Sequence, residues 1–106
     1  MELKERNEAY LKAIKKWGVK AQLEMAQEEA TELALAIRKQ IRKNDDVSFS
    51  NLVEEIADVE IMIEQITLMH NDLGFRQMVD SQKSFKIKRL LKRLDEGSFE
   101  SLENER

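Results

Sequence analysis

Apolar residues recur at intervals of three and four along most of the chain, the repeat of amphipathic helices rather than of strands. Between about Lys20 and Lys43 the stripe is Leu23, Ala26, Ala30, Leu33, Ile37 and Ile41. A second stripe of Leu52, Ile56, Val59, Ile63 and Ile66 predicts a helix over roughly 51–71. Two weaker patterns flank this pair. Leu3, Tyr10, Leu11 and Ile14 predict a first helix over 3–16, broken at Gly18, and Ile87, Leu90, Leu91 and Leu94 predict a last one over 77–95, ended by Gly97. NDDVSFS reads as the turn between the central helices, with Ser48 or Ser50 as N-cap. Asn71-Asp72-Leu73-Gly74 reads as the C-cap of the third helix, and the tail SFESLENER as an acidic, frayed end. The fold expected is an all-α bundle.

The polar positions of the two central helices add a mirrored pattern. Read back from the turn, the first gives Glu32, Glu29, Met25 and Gln22; read forward, the second gives Glu55, Asp58, Met62 and Gln65. Both runs are spaced three, four, three, and every cross-pair shares a midpoint between Lys43 and Asn44. An antiparallel hairpin turning there would set Glu32 beside Glu55 and Glu29 beside Asp58. Four converging carboxylates repel one another unless they are protonated or share a cation, and an all-oxygen set selects a hard one: Mg²⁺, Mn²⁺ or Ca²⁺. The spacing alone is common here, since Glu2/Glu5 and Glu5/Glu8 repeat it on what reads as a solvated face. The matched register beside the apolar stripes separates the inner pairs from these.

Composition removes several chemistries. No cysteine is present, so disulfides, thiolate nucleophiles and thiolate metal sites are out. The single histidine, His70, has Thr67 three residues before it, so the Glu-x-x-His element of di-iron bundles is missing, and His70 reads as a helix-end residue. A net charge of -3 gives no reason to expect nucleic-acid polymers as partners, and no apolar run reaches bilayer length. With 106 residues, the expectation is one soluble, cytoplasmic domain. Ile61, Met62, Leu68 and Met69 lie off the main stripe of the third helix, more apolar surface than four helices readily cover. Self-association is expected, with Ile61, Leu68 and Met69 at the interface.

EEATE at 28–32 and EEIAD at 54–58 resemble the E-x-x-E … E-x-x-D signature of the MazG-like, all-α nucleoside triphosphate pyrophosphohydrolases. The surrounding WGVKAQLEMAQEEATELALAI and EEIADVEIMIEQI, and the late basic FKIKRLLKRL, are similar to the small phage and bacterial members, over about residues 10–94. The resemblance implies a helical bundle assembled as a homodimer or dimer of dimers. It implies Mg²⁺-dependent cleavage of a (deoxy)nucleoside triphosphate between its α and β phosphorus atoms, giving monophosphate and pyrophosphate, in nucleotide-pool control or house-cleaning. It carries the metal-ligand role to Glu29, Glu32, Glu55 and Asp58, and the role of a phosphate-binding basic pair to Lys86 and Arg89, with Lys83 a weaker candidate.

Other roles stay open on sequence. Glu32 and Glu28 are both candidate proton acceptors for the attacking water, though Glu28 also fits a plain surface position about 100° round the helix from Glu29. Trp17 fits either stacking on a base or burial. Gln22 and Gln65 fit either base-edge recognition or packing at the edge of the core. Met25 and Met62 fit the pocket wall, and solvated lysines opposite an apolar face remain the competing reading for the last helix. The competing function is a non-catalytic dimerising or regulatory module whose acidic face binds a basic partner. A nucleotide binder without turnover is a third reading, which the intact signature argues against.

Overall fold

The computed structural model describes residues 1–96, which are helical apart from short connections, with no strand among them. Helices α1 (Leu3–Trp17), α2 (Val19–Lys43) and α3 (Asp46–Met69) are followed by a 3-10 turn (Asn71–Leu73) and α4 (Phe75–Asp95). The contacts divide the chain into two units, one of Met1–Asn71 and one beginning at Asp72. The expected stop at Gly97 and the tail SFESLENER lie outside the described residues. None of the described helices is long and apolar enough to cross a membrane.

The α2–α3 connection is shorter than the sequence suggests, only Asn44 and Asp45. Asn44 takes the left-handed conformation at φ 47°, and its N–H closes on the Gln40 carbonyl at 2.9 Å. Asp45, not Ser48 or Ser50, caps α3. Its carboxylate accepts the Ser48 N–H at 2.8 Å while Ser48 Oγ accepts the Asp45 N–H at 3.1 Å. This reciprocal box satisfies two orphan donors and draws Asp46–Ser50 into the helix, five residues earlier than expected. Hydrogen bonding to Ser48 also lowers the Asp45 carboxyl pKa. At the other end α3 stops at Met69, with His70 as C-cap rather than the 71–74 segment. Those residues instead form the 3-10 turn and end on Gly74, whose positive φ of 68° starts α4.

Helices α2 and α3 make the main packing surface of the first unit. Gln40 accepts from Ser48 Oγ at 3.1 Å near the turn, and Gln22 donates to Gln65 at 2.8 Å far from it, so the pairs run in opposite senses along the helices. The side chains turned inward are Gln22, Ala26, Glu29, Leu33, Ala36 and Gln40 on α2. Their counterparts on α3 include Ser48, Leu52, Glu55, Val59, Met62 and Gln65. This seam keeps the three–four repeat and shares Ala26, Leu33, Leu52 and Val59 with the expected apolar stripes, while at its other positions it falls one residue before them. Ala26, Leu33, Leu52, Val59 and Ile66 are at least half-buried, whereas Leu23, Ala30, Ile37, Ile41, Ile56 and Ile63 are exposed. Alanine, serine and paired glutamines let the two backbones approach with their polar atoms satisfied. No large side chain is fully buried among the described residues. Of the expected interface residues only Ile61 is exposed; Leu68 and Met69 are half-buried, and Met62 belongs to the seam.

Helix α1 is tied to α3 by one polar clasp. Tyr10, buried, donates its phenol to Glu64 Oε1 at 2.5 Å, and Arg6 donates to both Glu64 oxygens at 3.2 and 3.3 Å. The two donors lower the Glu64 carboxyl pKa, Tyr10 foremost. The second unit, taken by itself, carries an i,i+4 pair between Arg76 and Asp80 and places the Arg89 guanidinium 6.0 Å from the centre of the Phe85 ring.

Candidate metal centre

The mirrored positions converge about midway along the α2–α3 seam. Glu29, Glu55 and Asp58 each bring a carboxylate oxygen within 4.8 Å of the others. Each is placed by the seam itself, because 29, 55 and 58 continue the three–four repeat set by Gln22, Ala36, Ser48, Met62 and Gln65. Sequence patterning makes them part of a helix interface, and the interface brings their charges together.

The site's electrostatics follow from that placement. Burial raises the Glu29 carboxyl pKa, and the charges of Asp58, Glu55 and Glu32 and a hydrogen bond with Asp58 raise it further. Burial likewise raises Glu55, reinforced by Asp58, Glu32 and Glu54 and opposed by Lys39. Oxygen Oε2 of Glu55 is buried and accepts no hydrogen bond from the described residues. An unpartnered carboxylate oxygen among like charges is costly, and a cation or a proton relieves it. Three converging carboxylates with a free oxygen fit a hard cation that keeps several waters and takes its remaining ligands from phosphate.

Glu32, the fourth expected ligand, is not one of the three converging groups. Its side chain is exposed, and it acts on Glu29 and Glu55 through its charge. Glu28 is also exposed and lines an open depression with Gln27, Glu29, Thr31 and Glu32. Gln22 and Gln65 are buried and bonded to each other, with the Gln65 amide also 3.9 Å from Met62 Sδ, an arrangement that meets the requirements of core-edge packing. Met25 is exposed. Trp17 is exposed, so its reading as a buried packing residue does not hold; Lys16 Nζ lies 5.4 Å from its ring centre. Lys83, Lys86 and Arg89 are exposed residues of α4, in the second unit.

Two features escape a reading by motif. Lys39 is a cation whose charge offsets the Glu55 environment, and its place one turn before the C-terminus of α2, level with the start of α3, is the only sequence mark it carries. The Arg6–Tyr10–Glu64 clasp has a fainter signal, an aromatic and a cation four apart on α1. Compared with known protein families, characterised proteins and solved structures, the chain matches none.

Proposed function

We propose that the protein is a Mg²⁺-dependent nucleoside triphosphate pyrophosphohydrolase whose metal centre lies in the hairpin of α2 and α3. The observation that carries this reading is the convergence of Glu29, Glu55 and Asp58, together with a buried Glu55 oxygen that has no hydrogen-bond partner among the described residues. The signature resemblance of 28–32 and 54–58 supplies the reaction class.

Glu29, Glu55 and Asp58 would hold the ion, with Mn²⁺ a possible substitute. An ion held by these three carboxylates would supply charge neutralisation for the triphosphate and activation of a water for attack at the α phosphorus. Glu32, exposed beside the cluster without being part of it, would take the proton of that water; Glu28 is the second candidate. The resemblance assigns the β and γ phosphates, which leave together as pyrophosphate, to the basic residues Lys86 and Arg89, with Lys83. Exposed Trp17 offers an aromatic face on which a base could stack. The protein would act as a homodimer or a dimer of dimers.

The test is incubation with a panel of deoxy- and ribonucleoside triphosphates and Mg²⁺, followed by separation of products. Monophosphate with intact pyrophosphate is expected, with no free orthophosphate. Diphosphate and orthophosphate as first products would place the attack at the γ phosphorus and overturn the bond assignment. No turnover of any nucleotide would overturn the enzymatic reading in favour of an acidic binding module.

A further inference from the structure

The carboxylate cluster has a cationic counterpart nearer the turn. From Leu33 to Lys43, helix α2 carries Arg38, Lys39, Arg42 and Lys43 and no carboxylate. Lys39 stands seven residues after Glu32, so the two share one side of α2 to within about 20°, with about 10.5 Å of rise between them. On α3, which runs the other way, Asn51 stands seven residues before Asp58 and repeats its side in the same manner. The two repeats meet, because Lys39, Lys43, Val47, Ser48 and Asn51 line one depression together with Asp45. One side of the hairpin therefore leads from Glu32 and Asp58 to this depression. The charge of Lys39 is felt at Glu55, which links the two ends.

We infer that Lys39, with Lys43 beside it, is a further phosphate-binding residue, holding the terminal phosphates of a nucleotide whose α phosphate lies at the carboxylates. The assignment rests on the pyrophosphohydrolase reading, and it puts a cation for the leaving pyrophosphate in the same unit as Glu29, Glu55 and Asp58. Lys39 and Lys43 are exposed and form no ion pair with a carboxylate among the described residues, so their ammonium groups are open to a ligand. Asp45, the one carboxylate lining the depression, is already engaged by the Ser48 N–H. Cations also gather at helix C-termini to complement the dipole. That accounts for Arg42 and Lys43 in the last turn of α2, but the effect falls off before Lys39. The half-buried Asn51 adds an amide donor on the facing helix. Lysine suits the task, because a compact charge on a flexible stem can follow the phosphates as pyrophosphate departs.

Arg38 is the control, an exposed cation one residue away and about 100° round the helix, whose removal changes net charge equally. Binding of inorganic tripolyphosphate in Mg²⁺ is measured by calorimetry for the wild type, Lys39→Gln, Lys39→Arg and Arg38→Gln, together with KM for a hydrolysed nucleoside triphosphate. Loss of a charge-assisted contact in Lys39→Gln is expected to weaken tripolyphosphate binding and raise KM by about tenfold or more. Arg38→Gln, a screened charge on another side, should change either by less than about twofold, and Lys39→Arg should restore most of the binding. The Tm gain from Mg²⁺ alone should not fall in Lys39→Gln, since removing a nearby cation does not disfavour another. A fall would make Lys39 a support of the carboxylates and overturn the inference. Equal weakening by Lys39→Gln and Arg38→Gln, or none by Lys39→Gln, also overturns it, and leaves the hydrolytic reading to the product assay. Tripolyphosphate binding that depends on Lys39 in a protein that turns over no nucleotide does the opposite: it sustains the phosphate site and removes the hydrolytic reading.

Discussion

Replacing Glu29 by glutamine should change stability in opposite directions with and without a divalent ion. Without metal, the Glu29 carboxylate lies within 4.8 Å of those of Glu55 and Asp58. Two unit charges at that distance cost about 1 kcal/mol in water and about 3.5 kcal/mol at an effective dielectric of 20. A ceiling exists, because the group can protonate instead. From an ordinary pKa of 4.5, taking up a proton at pH 7 costs about 3.4 kcal/mol. Glu29 is only half-buried, so solvent screening brings the expected gain for Glu29→Gln to roughly 1–2 kcal/mol, a Tm rise of about 5–12 °C for a domain of this size. The sign with pH follows from the raised folded-state pKa. Between 4.5 and that higher value the folded protein binds more protons than the unfolded chain, so wild-type stability falls as pH rises through the window and stays low above it. The gain in the variant should thus be smallest at pH 4 and larger at pH 7. With Mg²⁺ at a hundred times its dissociation constant, the wild type gains about 2.7 kcal/mol, most of which the variant forgoes. Thermal unfolding followed by circular dichroism, at both pH values in EDTA and in Mg²⁺, measures all four terms. A variant less stable than wild type in EDTA at pH 7, or equal Mg²⁺ shifts for both proteins, would refute the reasoning.

Asp58→Ala should abolish hydrolysis while helix content stays intact; turnover near wild type at ordinary Mg²⁺ would remove Asp58 from the ligand set. Tyr10→Phe should cost about 1.5 kcal/mol at pH 7 through loss of the hydrogen bond to the Glu64 carboxylate. Because the Glu64 pKa is lowered by folding, that loss should shrink as pH falls through its folded value, as urea denaturation at pH 7 and pH 3 would show. Asp45→Ala should lower the Tm while Ser50→Ala leaves it unchanged, since only Asp45 caps α3. Gln22→Leu alone should cost about 1–3 kcal/mol by stranding the buried Gln65 amide, and adding Gln65→Leu should recover most of it, a coupling that a double-mutant cycle in urea reads directly.

The helices were legible because their signals are local. The three–four repeat, the absence of proline and the breaks at Gly18 and Gly74 set four helices without reference to tertiary structure. The start of α3 was not, because Ser48, Ser50 and Asp45 all qualify as caps by type. The choice among them rests on a reciprocal bond between Asp45 and Ser48 that only backbone geometry reveals. The core was misplaced for a related reason. A stripe of Leu and Ile states that a face will be buried but not what will bury it, and reading it as an intrachain core assumes that one chain supplies both sides.

The polar residues located the helix–helix register more faithfully than the apolar ones, and the reason is specificity. Aliphatic side chains tolerate rotation by one residue at little cost, whereas Gln22 with Gln65, or Gln40 with Ser48, is satisfied at one alignment only. The mirrored spacing around the turn encodes that alignment, and it brings Glu29 to Asp58 as a consequence. Glu32 marks the limit of the argument. It obeys the mirror in sequence, but its side chain is exposed and lies outside the group whose oxygens converge within 4.8 Å. It is left exposed and adjacent to three carboxylates held together by packing. That separation distinguishes the groups suited to hold an ion from the group suited to accept a proton. Glu32→Gln should reduce turnover while leaving Mg²⁺ stabilisation nearly intact, whereas Asp58→Ala should lose both, and equal loss of Mg²⁺ stabilisation in the two variants would return Glu32 to the ligand set.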